Sequence, residues 1–216
     1  LQARGPDVVL GELCQVHRPR GAAPVLAEVV GLRPGVVSLM PYGSTDGLAA
    51  GCTVEAIGES ASIGVGEALL GRVVDAFGGA LDGHPDPVCP QRQPLRAAPI
   101  NPMRLPPVTQ VLETEVRCID ALLTLGRGQR MGIFAGSGVG KSTLLGMVAR
   151  HVRADVNVIA LIGERGREVR DFIDRHLGAE GLRRSVVVVA TADQPALTRL
   201  RAALAAVAMA EHFRAQ

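Results

Sequence analysis

The residues best suited to chemistry lie in one stretch that runs from Gln129 to Leu145. It contains three glycines at alternate positions, followed directly by a lysine and two hydroxyl residues: Gly136, Gly138, Gly140, Lys141, Ser142 and Thr143. Glycines let the backbone turn back so that several N–H groups point into one concavity, and a helix that begins there adds its positive end. A loop of this kind holds a polyphosphate, so the stretch predicts a nucleotide site.

The polar residues of this loop have distinct predicted tasks. Lys141 places a mobile positive charge on the β- and γ-phosphates, and the Ser142 hydroxyl can ligate a magnesium ion that bridges them. ATP and Mg²⁺ are therefore the expected ligands. The residues expected to bind them are Gly136, Ser137, Gly138, Val139, Gly140, Lys141, Ser142 and Thr143. Ala135 stands where the strict pattern has glycine, and we interpret it as a tolerated small residue. The alternative is a glycine-rich hairpin with a chance lysine.

The elements that must position this loop alternate between strand and helix. The apolar run Met131 to Ala135 predicts a strand that enters the loop, and a helix follows to about Arg150. A second apolar strand, Val156 to Ile162, is expected beside the first. Ser185 to Thr191 predicts a third, suited to the middle of a parallel sheet. The alternation indicates an α/β domain.

Two amphipathic helices are predicted around these strands. Gly166 to Leu177 has one apolar face and a solvated face with charge pairs one turn apart. The apolar face is Val169, Phe172, Ile173 and Leu177, and the pairs are Arg167/Asp171 and Arg170/Asp174. A later helix begins at Pro195 and repeats apolar residues at spacings of three and four. That predicted core stripe is Leu197, Leu200, Leu204 and Val207, with Arg199 and Arg201 beside it.

The first part of the chain has a different pattern, of short β-rich segments separated by Pro and Gly turns. The segments are Val8 to Leu10, Leu13 to Val16, Val25 to Val30, Val36 to Met40 and Cys52 to Ile57. They predict a small β-barrel. Asp82 to Pro107 carries eight prolines and little periodicity, which indicates a linker. The predicted domains are a barrel over residues 1–66, a linker and connecting segment over 67–110, and a nucleotide domain over 111–216.

Composition argues against several classes of function. The formal net charge of +2 demands no polyanionic partner, and an aromatic content of 2% leaves little on which bases could stack. The four cysteines have no paired spacing, so we expect small buried thiols and neither zinc nor a disulfide framework: Cys14, Cys52, Cys89 and Cys118. No signal peptide opens the chain and no apolar run is long enough to span a bilayer, so a soluble protein is expected.

Three spaced motifs together resemble the type III secretion and flagellar export ATPases, which are similar to the catalytic β subunit of rotary ATP synthases. The motifs are the phosphate loop with its flanks, the run from Leu161 to Val169, and the run from Ser185 to Leu197. The resemblance covers nearly the whole chain, because the family also begins with a small β-barrel and a segment like Leu70 to Asp75. It implies a barrel followed by a RecA-like nucleotide domain.

The resemblance also implies roles and partners. Glu164 would position and polarise the attacking water, and Arg165 would lie close to the γ-phosphate. Judged without the family, Glu164 follows an apolar strand at the edge where ligands gather, and it could equally be a surface glutamate paired with Arg165 or Arg167. The implied assembly is a cytoplasmic homo-hexamer associated peripherally with the inner membrane. Its partners would be secretion chaperones, exported proteins, and stalk and stator components, with no nucleic acid.

Two catalytic parts that such an ATPase needs are expected to lie beyond Gln216. No apolar strand ending in aspartate follows Lys141, and an arginine from a neighbouring subunit is needed as well. Asp193 follows the run Val186 to Ala190 too late to be a strand-end ligand. We therefore interpret the chain as truncated on its C-terminal side, so that turnover by the isolated chain is doubtful.

Three other functions compete with protein export. A catalytic subunit of a proton-translocating ATP synthase shares these motifs. A ring-shaped RNA helicase should carry stacking aromatic residues in the barrel, where Tyr42 is the only one. In a non-catalytic ring subunit, the residue at the position of Glu164 is expected to be glutamine, so the glutamate here favours a catalytic subunit.

Overall fold

The computed structural model describes residues 1–5, 7–136 and 138–216. Its N-terminal part is an antiparallel sheet, made of β1 (Gln2–Ala3), β2 (Glu12–Val16), β3 (Val25–Arg33), β4 (Val36–Pro41) and β5 (Val54–Ser60). The strand order is β1-β4-β3-β2-β5. Alternate side chains of β2, β3 and β4 form a buried core that includes Cys14, Ala27 and Leu39. The predicted strand Val8 to Leu10 is instead irregular, and the turn after it is held by the Gly11 N–H, which donates to the Val29 carbonyl at 2.8 Å.

The middle of the chain adds strands to three further sheets. These strands are β6 (Ser62–Val65), β7 (Val73–Val74), β8 (Gln91–Pro94) and β9 (Val111–Leu112). β6 pairs with β8, and the turn after β7 is closed by a bidentate ion pair in which Arg72 donates to Asp82 at 2.7 and 2.9 Å. The stretch predicted as a linker is therefore structured. The boundaries at residues 66 and 110 stay a prediction.

The C-terminal half contains most of the helices and the sheet that matters for the site. Its elements are α1 (Arg117–Leu122), β10 (Leu125–Gly126), α2 (Lys141–His151), β11 (Asn157–Ile162), α3 (Gly166–Asp171), a π-helical turn (Phe172–Leu177), α4 (Gly178–Arg183), β12 (Ser185–Ala190) and α5 (Ala196–Arg214). The sheet has the parallel order β11-β12-β7. All residues of β12 are buried, so the predicted central strand is confirmed.

The predicted helix Gly166 to Leu177 is α-helical in its first half and π-helical in its second half. α3 continues into the π-helical turn, and Gly178, at a φ of +70°, separates that turn from α4. The predicted apolar face is buried as expected. Of the predicted charge pairs, Arg170 and Asp174 meet at 2.6 Å, whereas Asp171 pairs with Arg175 at 3.0 Å. These ion pairs lie on the surface.

The predicted strand from Met131 to Ala135 is absent from the structure. Its residues form no ladder with any described strand, and Phe134 is 96% exposed. A strand requires a hydrogen-bonded neighbour, and an apolar run cannot supply one by itself. The expectation that β11 adjoins such a strand is therefore wrong as well. Within the described residues β11 pairs with β12 alone.

Helix α5 buries a different face from the predicted one. Leu200 and Val207 are 51% and 56% exposed, so the predicted stripe lies at the edge of the contact. The buried residues are instead mostly small: Thr198, Arg201, Ala202, Ala205, Ala206, Ala208 and Met209. Alanines let the helix axis approach β11 and β12 closely, which larger side chains would prevent.

Arg201 is the charged centre of this buried face and is only 4% exposed. Its Nε donates to the Ala76 carbonyl at 3.1 Å, and its Nη2 donates to the Ser62 carbonyl at 2.9 Å. The guanidinium carbon also lies 4.6 Å from the Phe77 ring centre and 5.5 Å from that of Tyr42. One side chain thus joins α5 to β6, to the turn after β7 and to the N-terminal sheet.

The cysteines are all free thiols. Cys14 is buried, and burial raises the pKa of its thiol. Cys52 and Cys89 are half-buried, whereas Cys118 is exposed, so the prediction of buried thiols is wrong for Cys118. Among the described residues no helix combines the length and apolar character needed to cross a membrane.

Replacement of Arg201 tests this junction. We expect Arg201→Met to lower the free energy of unfolding by about 2–4 kcal/mol, because two buried carbonyls lose their donor. Arg214→Met, in an exposed position of the same helix, should change it by less than about 0.5 kcal/mol. Urea unfolding of both variants measures the difference, and equal effects would contradict the assigned role of Arg201.

Candidate functional site

The phosphate loop ends where α2 begins. Gly138 and Gly140 adopt φ angles of +76° and +94°, a left-handed region that favours glycine. Gly140 is the N-cap of α2 and provides no side chain to the first turn. Among the described residues no side chain caps the first N–H groups of the helix, which is the arrangement that a phosphate site requires.

The predicted ligand-binding residues line an open surface. Lys141, Ser142 and Thr143 form the exposed first turn of α2. Gly136 and Val139 are exposed as well, and a side chain added at Gly136 would meet nothing within 4 Å. Ser137 lies outside the described residues.

Glu164 lies close to this helix end. It lies two residues after the end of β11, and its Oε1 is 3.8 Å from Lys141 Nζ. The turn is held by two backbone hydrogen bonds to the end of β12. The Gly163 N–H donates to the Ala190 carbonyl at 2.7 Å, and the Ala192 N–H donates to the Glu164 carbonyl at 3.1 Å. The fold thus brings together two residues that the sequence separates by more than one element.

A second carboxylate, Glu168, completes the acidic side of the site. A hydrogen bond with Glu168 raises the pKa of Glu164, burial adds to this rise, and Lys141 opposes it. The backbone N–H of Arg165 donates to Glu168 at 3.3 Å and is the main cause of the lowered pKa of Glu168. The hydrogen bond between the two carboxyl groups therefore shifts their pKa values in opposite directions, upward for Glu164 and downward for Glu168.

The side chain of Arg165, which is predicted to approach a γ-phosphate, lies beside Glu168. Its guanidinium is 83% exposed and lies 3.7 Å from Glu168. In the described residues it makes no ion pair with Glu164. Its structural contribution is the backbone N–H that orients Glu168 at the start of α3.

Comparison with known proteins gives the family. The description "ATP synthase alpha/beta family, beta-barrel domain" matches residues 1–58, and the nucleotide-binding domain of the same family matches residues 115–216. The chain belongs to the ATP synthase alpha/beta family. The predicted order of a β-barrel and a P-loop nucleotide-binding domain is therefore confirmed, although the loop lacks its predicted strand.

Relatives within the family include export ATPases. The flagellum-specific ATP synthase of Treponema pallidum is 54% identical over 100% of this chain and 48% of its own length. The type 3 secretion system ATPase of Xanthomonas euvesicatoria is 48% identical over 99% of this chain and 48% of its own. The assembled ATPase EscN of enteropathogenic E. coli superposes with a TM-score of 0.90 at 42% identity, over 99% of this chain and 51% of EscN. The chain spans about half the length of these relatives.

The family could be identified from the sequence, but the hydrogen bond of Glu168 with Glu164 was not predicted. Glu168 lies within the second motif, four residues after Glu164. That spacing places two carboxylates on successive turns if a helix begins between them. The spacing of the two glutamates was visible in the sequence. It indicates a contact between them only once α3 is known to begin after Arg165.

Removal of the Lys141 side chain tests the site. We expect Lys141→Ala to raise the dissociation constant for ADP with Mg²⁺ about tenfold or more, because a charge-assisted contact of about 1.5–3 kcal/mol is lost. Titration calorimetry gives the constants. Arg33→Ala, which removes one exposed positive charge from the N-terminal sheet, should bind as the unmodified chain does.

The same expectation can be checked without substitution. Lys141 is the only lysine of the chain, so an amine-reactive reagent modifies Lys141 and the terminal amine alone. Nucleotide should slow modification of Lys141 and leave the terminal amine unaffected. Equal affinity of Lys141→Ala and the unmodified chain, together with unprotected Lys141, would contradict the site.

Proposed function

We propose that this chain is the β-barrel and nucleotide-binding part of an ATPase that drives type III protein export. The observation that carries the proposal is the 3.8 Å approach of Lys141 and Glu164 at the uncapped end of α2. This approach brings a phosphate-binding cation and a carboxylate to the same edge of the sheet. Hydrolysis of a phosphoanhydride requires both groups there.

In the proposed site the loop amides and Lys141 bind the polyphosphate of ATP. Among the described residues no cluster of three His, Cys, Asp or Glu could hold a metal ion. The Ser142 hydroxyl would therefore hold Mg²⁺ jointly with phosphate oxygens and water, a donor set that suits this ion. When bound, Mg²⁺ would offset part of the negative charge of the phosphates.

The proposed role of Glu164 is to orient a water molecule and accept its proton. A carboxyl group whose pKa is raised by a hydrogen bond with a neighbouring carboxyl and by burial is a stronger base than one in water. Glu168 is hydrogen-bonded to Glu164 and would help to orient it. Arg165, kept by this pair at the start of α3, is proposed to approach the γ-phosphate when ATP is bound.

The proposed setting is a homo-hexamer on the cytoplasmic face of the inner membrane. It would act on secretion chaperones and exported proteins, and it would contact stalk and stator components. Support comes from the relatives named as secretion and flagellar ATPases, and from EscN, whose structure includes its central stalk EscO.

The longer protein offers the test of Glu164. We expect Glu164→Gln to lower ATP turnover by about a hundredfold or more, because a positioned base is neutralised. Nucleotide affinity should stay within about threefold, since Lys141 and the loop amides are retained. Glu180→Gln, at an exposed position of α4, is the matched control. If turnover of Glu164→Gln stays within a few-fold of the control, Glu164 is a surface glutamate without a catalytic role.

A further inference from the structure

The two ends of α2 are built in opposite ways. At the N-terminal end, no side chain of the residues that the structure describes caps the helix. At the carboxyl end, the guanidinium of Arg184 donates to four carbonyls of the last turn and of the residues that follow it. Its Nη1 donates to Val152 at 3.1 Å and to Ala154 at 3.0 Å, and its Nη2 donates to Ala149 at 3.1 Å and to Arg150 at 2.5 Å.

Arg184 connects this helix end to both long strands of the sheet. It is the last residue before β12, and its carbonyl accepts the N–H of Asn157, the first residue of β11, at 2.9 Å. Asn157 in turn donates its side-chain Nδ2 to the Ala149 carbonyl at 2.8 Å. The carboxyl end of α2 is thus tied to the starting points of β11 and β12.

The opposite ends of the same elements form the candidate site. α2 runs about 16 Å from this junction to Lys141, and β11 runs about 20 Å to the turn that carries Glu164. Both elements are stiff over such lengths. A displacement at the junction therefore changes the separation of Lys141 and Glu164.

We propose that Arg184 is a positioning residue of the nucleotide site. Its guanidinium fixes the carboxyl end of α2 on the sheet and thereby sets the phosphate-binding end relative to Glu164. The proposal rests on the proposed function, because it needs a nucleotide at the N-terminal end of α2. Arginine suits the task because its planar fork reaches several carbonyls at once, and its positive charge lies at the negative end of the helix dipole.

The test compares variants of the full-length protein. Arg184→Gln should raise the dissociation constant for ADP with Mg²⁺ on the order of tenfold. Arg184→Lys, which keeps the charge without the fork, should fall between Arg184→Gln and the unmodified protein. Arg183→Gln is the matched control, because Arg183 is the exposed neighbour and its side chain makes no hydrogen bond to the described residues. Each constant is measured at least about 20 °C below the unfolding midpoint of that variant, so that stability alone cannot change it.

Chemical rescue separates positioning from stability. Guanidinium ion at a low, non-denaturing concentration should restore part of the affinity of Arg184→Ala and leave the unmodified protein unchanged. If Arg184→Gln and Arg184→Ala do not fold, Arg184→Lys alone decides. Affinity within twofold of the control for the folded variants would overturn the proposal.

The two proposals fail in different ways. If Lys141→Ala also binds nucleotide normally, then the site itself is wrong. If Lys141→Ala loses binding while folded Arg184 variants retain it, only the positioning role is wrong.

Discussion

The buried guanidinium of Arg201 is the constraint on which the arrangement of this chain depends. A charge placed away from water is costly unless its donors are used, so every segment around it must supply a carbonyl or an aromatic face. The Ala76 and Ser62 carbonyls accept from Nε and Nη2, and the Phe77 and Tyr42 rings lie beside the guanidinium. Its Nη1 has no hydrogen-bond partner among the described residues. Thr198, one turn earlier in α5, adds a hydrogen bond to the Tyr42 carbonyl at 2.7 Å. The N-terminal sheet is thereby fixed to the helix that covers β11 and β12.

The candidate site depends on this sheet more than on the phosphate loop. The loop itself is exposed and touches little, whereas Glu164 is held by backbone hydrogen bonds between the ends of β11 and β12. The position of Lys141 follows from α2, whose packing allows almost no change. A side chain at Gly146 would meet the His176 carbonyl at 2.9 Å, so α2 and the π-helical turn are in direct backbone contact. Lys141 and Glu164 thus lie at the ends of α2 and β11, whose central residues are closely packed.

Sequence alone predicted the parts whose physics is local. The phosphate loop, the fully apolar β12 and the apolar face of α3 were recognisable from residue type and spacing. The misjudged parts depend on distant partners. Arg201 was assigned to the edge of a leucine stripe because the carbonyls that satisfy it lie 125 and 139 residues away. Met131 to Ala135 was assigned to a strand because composition carries no information about the neighbour that a strand requires. Similarly, the pairing of the two-residue strand β7 with β12 could not be foreseen from the sequence.

Tyr42 gives this arrangement an optical consequence. It is the only tyrosine in a chain without tryptophan, and its ring lies against Arg201 and edge-on to Phe77, with ring centres 5.3 Å apart. Its hydroxyl donates to Glu28, and burial together with this bond raises the pKa of Tyr42 to about 12. Absorbance and fluorescence above the range of phenylalanine therefore originate at one contact between the N-terminal sheet and α5. Tyrosine fluorescence therefore reports on the contact between the N-terminal sheet and α5 and on no other part of the chain.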